Sequence, residues 1–393
     1  MTHTKRVVIV GGSWAGIKTA HAILKRIPNA QVKLINPSAV HFFNVAAPRI
    51  LAKPKAFAPE RYLSSIPELF KKYDTELFSF VHGVARSINV DDKTVTVDAV
   101  GAEDDELRDL VIPFDYLVIA SGSTSKATLG QDSILAPFKA TASDDLQHAI
   151  EQVQVTLSEA KTVVIGGAGA VGVEFAGELA EAFQSKQDTS ITLLTRTDRI
   201  LPGLKPSASH NAYDILSKLG VKVRTSVTVA GASQDPTSKK WNITLEDGEI
   251  LTADAYVSTT GVIPNNSFIP SELQDKDGWV PVDAEFRVQR QGAMNKEKLP
   301  IYAVGDITSY VDRLLSRIEG QVSVLVANLK ADIEDSKGKR PQYSSKKMTV
   351  LVAPIGSRTG TGQIWLLVLW GWLVWLIKGR DYFLSMSDSL LRK

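Results

Sequence analysis

The sequence predicts an α/β fold of two parallel-sheet units, one nested in the other, with a small C-terminal segment. Three observations carry this. Residues 5–16, KRVVIVGGSWAG, read as a strand, a glycine turn and a helix start. Residues 161–172, KTVVIGGAGAVG, repeat that unit. Residues 115–123, DYLVIASGS, and 254–265, DAYVSTTGVIPN, are matching strands that bracket the second copy. A nested layout explains the echo, because such strands lead into and out of an inserted unit. The units are Rossmann-like, in the sense of a strand feeding a phosphate-binding helix N-terminus.

In chain order, Arg6 to Val10 is a β-branched run suited to one buried parallel strand. Gly11, Gly12 and Ser13 end it, and from Trp14 the pattern is helical, with Ile17, Ala20, Ile23 and Leu24 on one face. Helix N-termini offer unpaired N–H groups and a positive dipole end to a pyrophosphate. Gly11 permits the tight turn and Gly16 a close helix–strand approach, while Ser13 stands where the fingerprint has its middle glycine. The next strand, 31–35, ends at Asn36, where a carboxylate normally holds an adenosine ribose. Residues 41–50, HFFNVAAPRI, read as an apolar loop with one arginine, and 78–97 as paired strands turning at Asp91-Asp92.

In the second copy Gly167, Gly169 and Gly172 satisfy G-x-G-x-x-G in full, after a strand and before a helical pattern over 173–182. This context predicts a dinucleotide site. The following strand, 190–194, ends in Thr195-Arg196 rather than an acid. That favours a ribose 2′-phosphate, hence NADPH over NADH, unless Arg196 is only a solvated surface charge. Strands are expected near 221–223, 241–245 and 250–251. Residues 299–308, LPIYAVGDIT, close the interrupted unit and put Asp306 at the ligand side of its sheet; a helix follows over 318–333 and a linker over 336–346.

Composition narrows the function. At 393 residues the chain has room for two or three domains, and 44% apolar content supports an ample core. A net charge of +2 gives no reason to expect nucleic acid. There is no cysteine, which removes disulfides, thiolate nucleophiles and dithiol relays, and the six histidines include no H-x-x-x-H pair, so no metal site is expected. A strand beginning by residue 6 suggests no signal peptide, and Thr2 no N-myristoylation.

The motifs VVIVGGSWAG, HFFNVAAPR, IASGS, VVIGGAGAVGVE, TTGVIPN and YAVGD, in this order, resemble those of the two-dinucleotide-binding flavoproteins with a glutathione-reductase-like fold. Within them the chain resembles the apoptosis-inducing-factor-like group. Through FNVAAPR and LIKGRDYFLSMS it is most similar to the ferroptosis suppressor proteins, which reduce ubiquinone-type substrates with NAD(P)H. The resemblance implies an FAD-binding domain over 1–126 and 262–340, an NAD(P)H-binding domain over 127–261, and a C-terminal membrane- and quinone-interacting segment over 341–393. It implies that Gly11, Gly12, Ser13, Trp14, Ala15 and Gly16 hold the FAD pyrophosphate, Asn36 the adenosine ribose and Val84 the adenine edge. Arg49 would lie beside the flavin, Ser121 and Gly122 near the FAD, and Asp306 on the ribityl chain. Gly167, Gly169, Gly172 and Arg196 would hold NADPH or NADH, with Glu174 near the nicotinamide and Gly261 at the domain junction.

Hydride transfer between nicotinamide and flavin needs no protein acid, so the open question is the acceptor. The expected reaction is NAD(P)H:quinone oxidoreduction, with Lys378 as the charge near the quinone, or else an interfacial lysine. A ferredoxin-type reductase and a non-enzymatic redox signalling flavoprotein remain alternatives. Residues 364–377, IWLLVLWGWLVWLI, hold no charge; as a helix of roughly 21 Å they are too short for a bilayer core of about 30 Å. Trp365, Trp372 and Trp375 would share one face of that helix. Either it is a core helix or it attaches peripherally to a membrane, with Lys378 and Arg380 at the headgroups. The expected location is cytoplasmic, at a surface such as the mitochondrial outer membrane or a lipid droplet. Whether the chain forms a homodimer is left open.

Overall fold

The computed structural model describes residues 4–101, 109–141, 145–292, 298–310, 313–344 and 350–392. Its larger sheet has seven strands in the order Ile301–Ala303, Tyr116–Ile119, Lys5–Val10, Ala30–Asn36, Phe78–Asn89, Thr94–Ala99 and Asp109–Pro113. The first five run parallel and the last two continue as an antiparallel meander. Val7, Val8, Ile9 and Val10 are buried on both faces of their strand, as a central parallel strand requires. The smaller sheet orders Lys222–Arg224, Ser190–Leu194, Thr162–Gly166 and Ala255–Ser258, all parallel. An antiparallel meander, Val229–Gln234, Trp241–Leu245 and Ile250–Ala253, packs beside it.

The two units repeat one another down to single residues. The helix Trp14–Arg26 follows the first glycine turn and buries Ile17, Ala20 and Ile23, and the helix Ala170–Phe183 follows the second. A Cβ on Gly16 would lie 1.7 Å from the Gly11 carbonyl oxygen, and one on Gly172 would lie 2.0 Å from that of Gly167. The echoing aspartates do equivalent work. Asp115 accepts the backbone N–H of Arg6 at 2.7 Å, and Asp254 that of Thr162 at 2.8 Å. Each caps the start of the central strand of its sheet. The chain leaves the first sheet through Ser123–Thr124 and returns through Ile263–Pro264, and these two crossovers pair antiparallel. The first sheet is therefore built from residues on both sides of the second.

Two expectations are corrected. Residues 41–50 are not a plain loop: Val40–Phe42 is a short strand paired with Leu63–Ser65, and Ala47–Ala52 is a helix. Residues 364–377 do not form one helix. Gly360–Ile364 pairs with Val350–Pro354, the chain turns at Trp365 and Leu366, and Leu367–Val368 pairs back. A helical turn, Gly371–Val374, and a wider turn, Trp375–Gly379, follow. The shared tryptophan face therefore does not exist, although Trp370 and Trp372 stack at 6.4 Å. The helix expected over 318–333 is Leu315–Ile333. Of the expected 336–346 linker, residues 345 and 346 lie outside the described residues.

The close glycine contacts set a contrast between neighbours. A Cβ on Gly169 would meet nothing within 4 Å, whereas on Gly172 it would strike backbone. Gly172→Ala is expected to destabilise the protein by about 1–3 kcal/mol or more, and Gly169→Ala by well under 1 kcal/mol, read from thermal or urea unfolding.

Candidate active site

Three acids of the helix Ala170–Phe183 face one way, because Glu174, Glu178 and Glu181 are spaced four and three apart. They meet cations from two other parts of the chain. From the helix Ala47–Ala52, the Arg49 Nε and Nη2 donate to Glu178 Oε1 at 3.0 and 2.7 Å. Lys53 Nζ donates to Glu178 Oε2 at 2.7 Å and to Glu181 Oε2 at 2.6 Å. From the C-terminal segment, Lys378 Nζ donates to Glu174 Oε1 at 2.6 Å, and the Tyr382 hydroxyl donates to Glu178 Oε1 at 3.1 Å. Arg49 also lies 4.7 Å from the centre of the Tyr382 ring.

Burial sets the proton affinities. Glu174 is almost wholly buried, and desolvation pushes its carboxyl up to about 6 although Lys378 pulls it down. Burial works against the Arg49 charge, yet Glu178 outweighs it and holds the guanidinium above its ordinary value. Tyr382 is raised well above the usual phenol range by burial and by the neighbouring carboxylates. The expected Glu174 and Lys378 are thus in direct contact, with Arg49 one helical turn away on Glu178.

The residues expected at the first glycine loop gather at the carboxyl ends of the larger sheet. Gly12 N donates to Asn36 Oδ1 at 2.7 Å and Asn36 Nδ2 to the Ser38 carbonyl at 2.7 Å, so Asn36 braces the turn. Ser13 is exposed at the helix N-cap with no side-chain cap bond; Trp14 and Ala15 are buried behind it. Trp14 stands edge-on to His41 at 5.0 Å and to Phe43 at 5.1 Å. His41 is a packing residue, its pKa pushed down to about 4 by burial. Asn36 pairs with His82, and Val84 lies two residues beyond on the same strand. Ser121 Oγ donates to the Asn265 carbonyl at 2.8 Å, and Gly122 and Gly261 hold left-handed conformations in the two crossover regions. Asp306 follows the strand Ile301–Ala303 and accepts from Ser123 and Lys139 through Oδ2.

At the smaller sheet, Gly167 turns with φ +102°, Gly169 caps the helix and Gly172 packs it on the strand. Thr195 is buried at the end of Ser190–Leu194, and Arg196 next to it is exposed. Sequence reasoning missed Lys53, Glu178, Glu181, Tyr382 and Lys139. The acid spacing on a helical pattern was a signal for the two glutamates; for the others there was none, since their carboxylate partners are more than a hundred residues away.

These residues fit two nucleotides. Each sheet carries a glycine turn with helix N–H groups free for a diphosphate, and Oδ1 of Asp306 has no partner among the described residues. Residues 5–327 match the pyridine nucleotide-disulphide oxidoreductase family, and the chain belongs to it. It is a flavin-dependent oxidoreductase of that family and binds FAD and NAD(P)H. The oxidoreductase phnG of Penicillium herquei is 33% identical over 420 residues, 99% of this chain and 96% of the relative. Ferroptosis suppressor protein 1 of Xenopus tropicalis is 27% identical over 391 residues, 97% of this chain and 94% of the relative. In fold the chain is like the sulfide:quinone oxidoreductase of Aquifex aeolicus, with a TM-score of 0.76 at 19% identity, covering 98% of this chain and 92% of that one. Lacking cysteine, this member has no dithiol through which to pass electrons.

The raised Glu174 has a definite sign. Between its ordinary 4.5 and about 6 the folded chain keeps a proton that the unfolded chain has lost. The contribution of this group to stability therefore falls as pH rises through that window. Comparing urea midpoints at pH 4.5 and 6.5, Glu174→Gln is expected to remove that downward component, so that its stability falls less, or rises more, with pH than the wild type.

Proposed function

We propose that the protein is an NAD(P)H:quinone oxidoreductase acting at a membrane surface, with its FAD-binding unit over 1–126 and 262–340 and its NAD(P)H-binding unit over 127–261. In this reading Gly11 to Gly16, Asn36, Val84, Ser121, Gly122 and Asp306 hold FAD, and Gly167, Gly169, Gly172, Arg196 and Gly261 border the nicotinamide cofactor. Bound FAD supplies the redox chemistry, taking a hydride from the nicotinamide and giving electrons to the acceptor. The chain positions the cofactors, keeps water out of the seam and holds a proton.

The observation that carries the quinone assignment is one turn, Trp375–Gly379. It presents Trp375 and Leu376 outward and sends Lys378 inward to Glu174. Quinone reduction takes up protons, and Lys378 of the buried Lys378–Glu174 pair lies on the same turn as these exposed apolar side chains, next in the chain to a longer apolar run. That run is open to solvent: Trp365, Leu366, Leu367, Trp370 and Trp372 are 60–75% exposed. A patch of this kind marks an interaction site. Its tip is braced, since Lys205 Nζ donates to the Leu366 carbonyl at 2.7 Å and Gln363 Nε2 to that of Trp365 at 2.5 Å. Among the described residues no helix is long and apolar enough to cross a membrane; the reading here is shallow insertion of the hairpin, with its tryptophans at the boundary. A quinone dissolved in the bilayer would then reach the seam without crossing water. The quinone reading is supported by the likeness in fold to a sulfide:quinone oxidoreductase and by the resemblance of FNVAAPR and LIKGRDYFLSMS to the ferroptosis suppressor proteins.

Three measurements test it. With quinones, oxygen and a ferredoxin assayed in parallel, quinones are expected to be reduced fastest; turnover with the ferredoxin alone would sink the proposal. A Trp370→Ser/Trp372→Ser variant should keep its FAD, float less with liposomes, and lose activity with long-tailed quinones more than with short ones. The third measurement concerns the nicotinamide cofactor. Arg196→Ala is expected to lower kcat/KM for NADPH about tenfold or more while sparing NADH, because a charge-assisted contact is worth roughly 1.5–3 kcal/mol. An unchanged NADPH/NADH ratio means that Arg196 does not read the 2′-phosphate.

A further inference from the structure

Tyr382 sits on a strained stretch of backbone. It and Phe383 both hold left-handed conformations, with φ +53° and +65°, that bulky side chains rarely adopt. Two sets of hydrogen bonds enforce them. Tyr382 N donates to the Lys378 carbonyl at 2.7 Å, just after the wide turn Trp375–Gly379. The Asp381 carboxylate accepts the N–H groups of Phe383 and Ser385, each at 3.1 Å. Strain that the surroundings hold this firmly points to a side chain whose place matters.

The strain delivers a phenol ring between two ion pairs. The ring is wholly buried. The Arg49 guanidinium lies 4.7 Å from its centre and the Lys378 ammonium 5.2 Å. A desolvated aromatic ring attracts cations through its quadrupole. The hydroxyl donates to Glu178 Oε1 at 3.1 Å, and burial with the nearby carboxylates keeps it protonated. The charged groups around the ring are Glu174 and Glu178 from the helix Ala170–Phe183, Arg49 from Ala47–Ala52, and Lys378 from its own segment. Lys53 and Glu181 stand one bond further out. Beside burial, the Glu178 charge one helical turn away adds to the proton affinity of Glu174.

We propose that Tyr382 is a positioning residue for the acceptor half of the reaction: its ring holds the Lys378 ammonium on Glu174, and its hydroxyl, by donating to Glu178, draws that acid's charge away from Glu174. The inference rests on the proposed role of the Lys378–Glu174 pair in quinone reduction. It gives the C-terminal segment a second task. The turn that presents Trp375 and Leu376 outward also leads into the residue that fixes the pair.

The test separates the two halves of turnover in the holoprotein by stopped-flow absorbance across pH: flavin reduction by NADPH, then reoxidation by ubiquinone-1. The variants are Tyr382→Phe, Tyr382→Leu, Lys378→Met and the Lys378→Met/Tyr382→Leu double. Tyr382→Leu is expected to slow reoxidation about tenfold while reduction stays near the wild-type rate, because hydride transfer needs no protein acid. Tyr382→Phe keeps the ring and is expected to recover most of the rate. Its reoxidation should fall off at a pH roughly half a unit higher, since Glu178 has one donor fewer and Glu174 holds its proton more tightly. The double variant should be no slower than Lys378→Met alone. Wild-type reoxidation and an unmoved pH profile in Tyr382→Leu, beside slow reoxidation in Lys378→Met, overturn the role of Tyr382 and leave the pair in place. Wild-type reoxidation in Lys378→Met removes the assignment of the pair, and the proposal with it. Equal slowing of both halves in both Tyr382 variants, or full additivity in the double variant, makes Tyr382 a packing residue only. Should Tyr382→Leu lose its FAD, the pH shift in Tyr382→Phe carries the test, and an unmoved profile there overturns the proposal.

Discussion

The carboxylate of Glu178 is the constraint on which the assembly depends. It is fully buried, and an ion there is tolerable only when it is paired and its lone pairs are filled. Two nitrogens of Arg49, the ammonium of Lys53 and the hydroxyl of Tyr382 fill them. Those donors come from a helix beside the larger sheet and from the C-terminal segment, while the acid rides on the helix of the smaller sheet. One group therefore joins three parts of the chain separated by more than a hundred residues. Removing Glu178 would strand the buried guanidinium of Arg49, at a cost of roughly 3–5 kcal/mol.

Around that junction the same device is used twice. Each unit ends a central parallel strand in a glycine turn, packs the next helix so closely that a Cβ would strike the turn's own carbonyl, and caps its central strand with an aspartate. The units differ in what surrounds the device. The first has Asp306, Ser123 and Lys139 at its ligand edge, and the second has Thr195 and an exposed Arg196. On the proposed assignment, two nucleotides of different structure are held by one kind of turn, and the side chains outside it differ between the units.

The C-terminal segment shows how a strongly apolar run can misdirect a local reading. Residues 364–377 have no polar residue to mark a face, so periodicity could not separate a helix from short strands. Pairing decides the matter. Ile364 is registered against Val350 and Gln363 against Val368, and Trp365 turns the chain with φ +55°. The run is then split between a hairpin tip that stays outside and a turn that carries Lys378 inward. A single helix could not have placed neighbouring residues in both environments so sharply.

Within the glycine units little was hidden. Strand, turn, helix and the echoing strands were all legible, because backbone geometry at Gly16 and Gly172 and β-branched burial at Val7 to Val10 are local demands that only a few residue types meet. The nested order followed from the repeat, and the absence of cysteine excluded a dithiol route before any coordinates. Contacts across the seam were not legible. Glu174 and Lys378 were each singled out, yet nothing in the chain says that they touch, and nothing marks Lys139 as the partner of Asp306. Local sequence fixes the backbone of a turn because the demand is steric and lies within a few residues. The company of a buried charge is chosen by whichever distant donors folding brings within about 3 Å, so only the tertiary structure decides it.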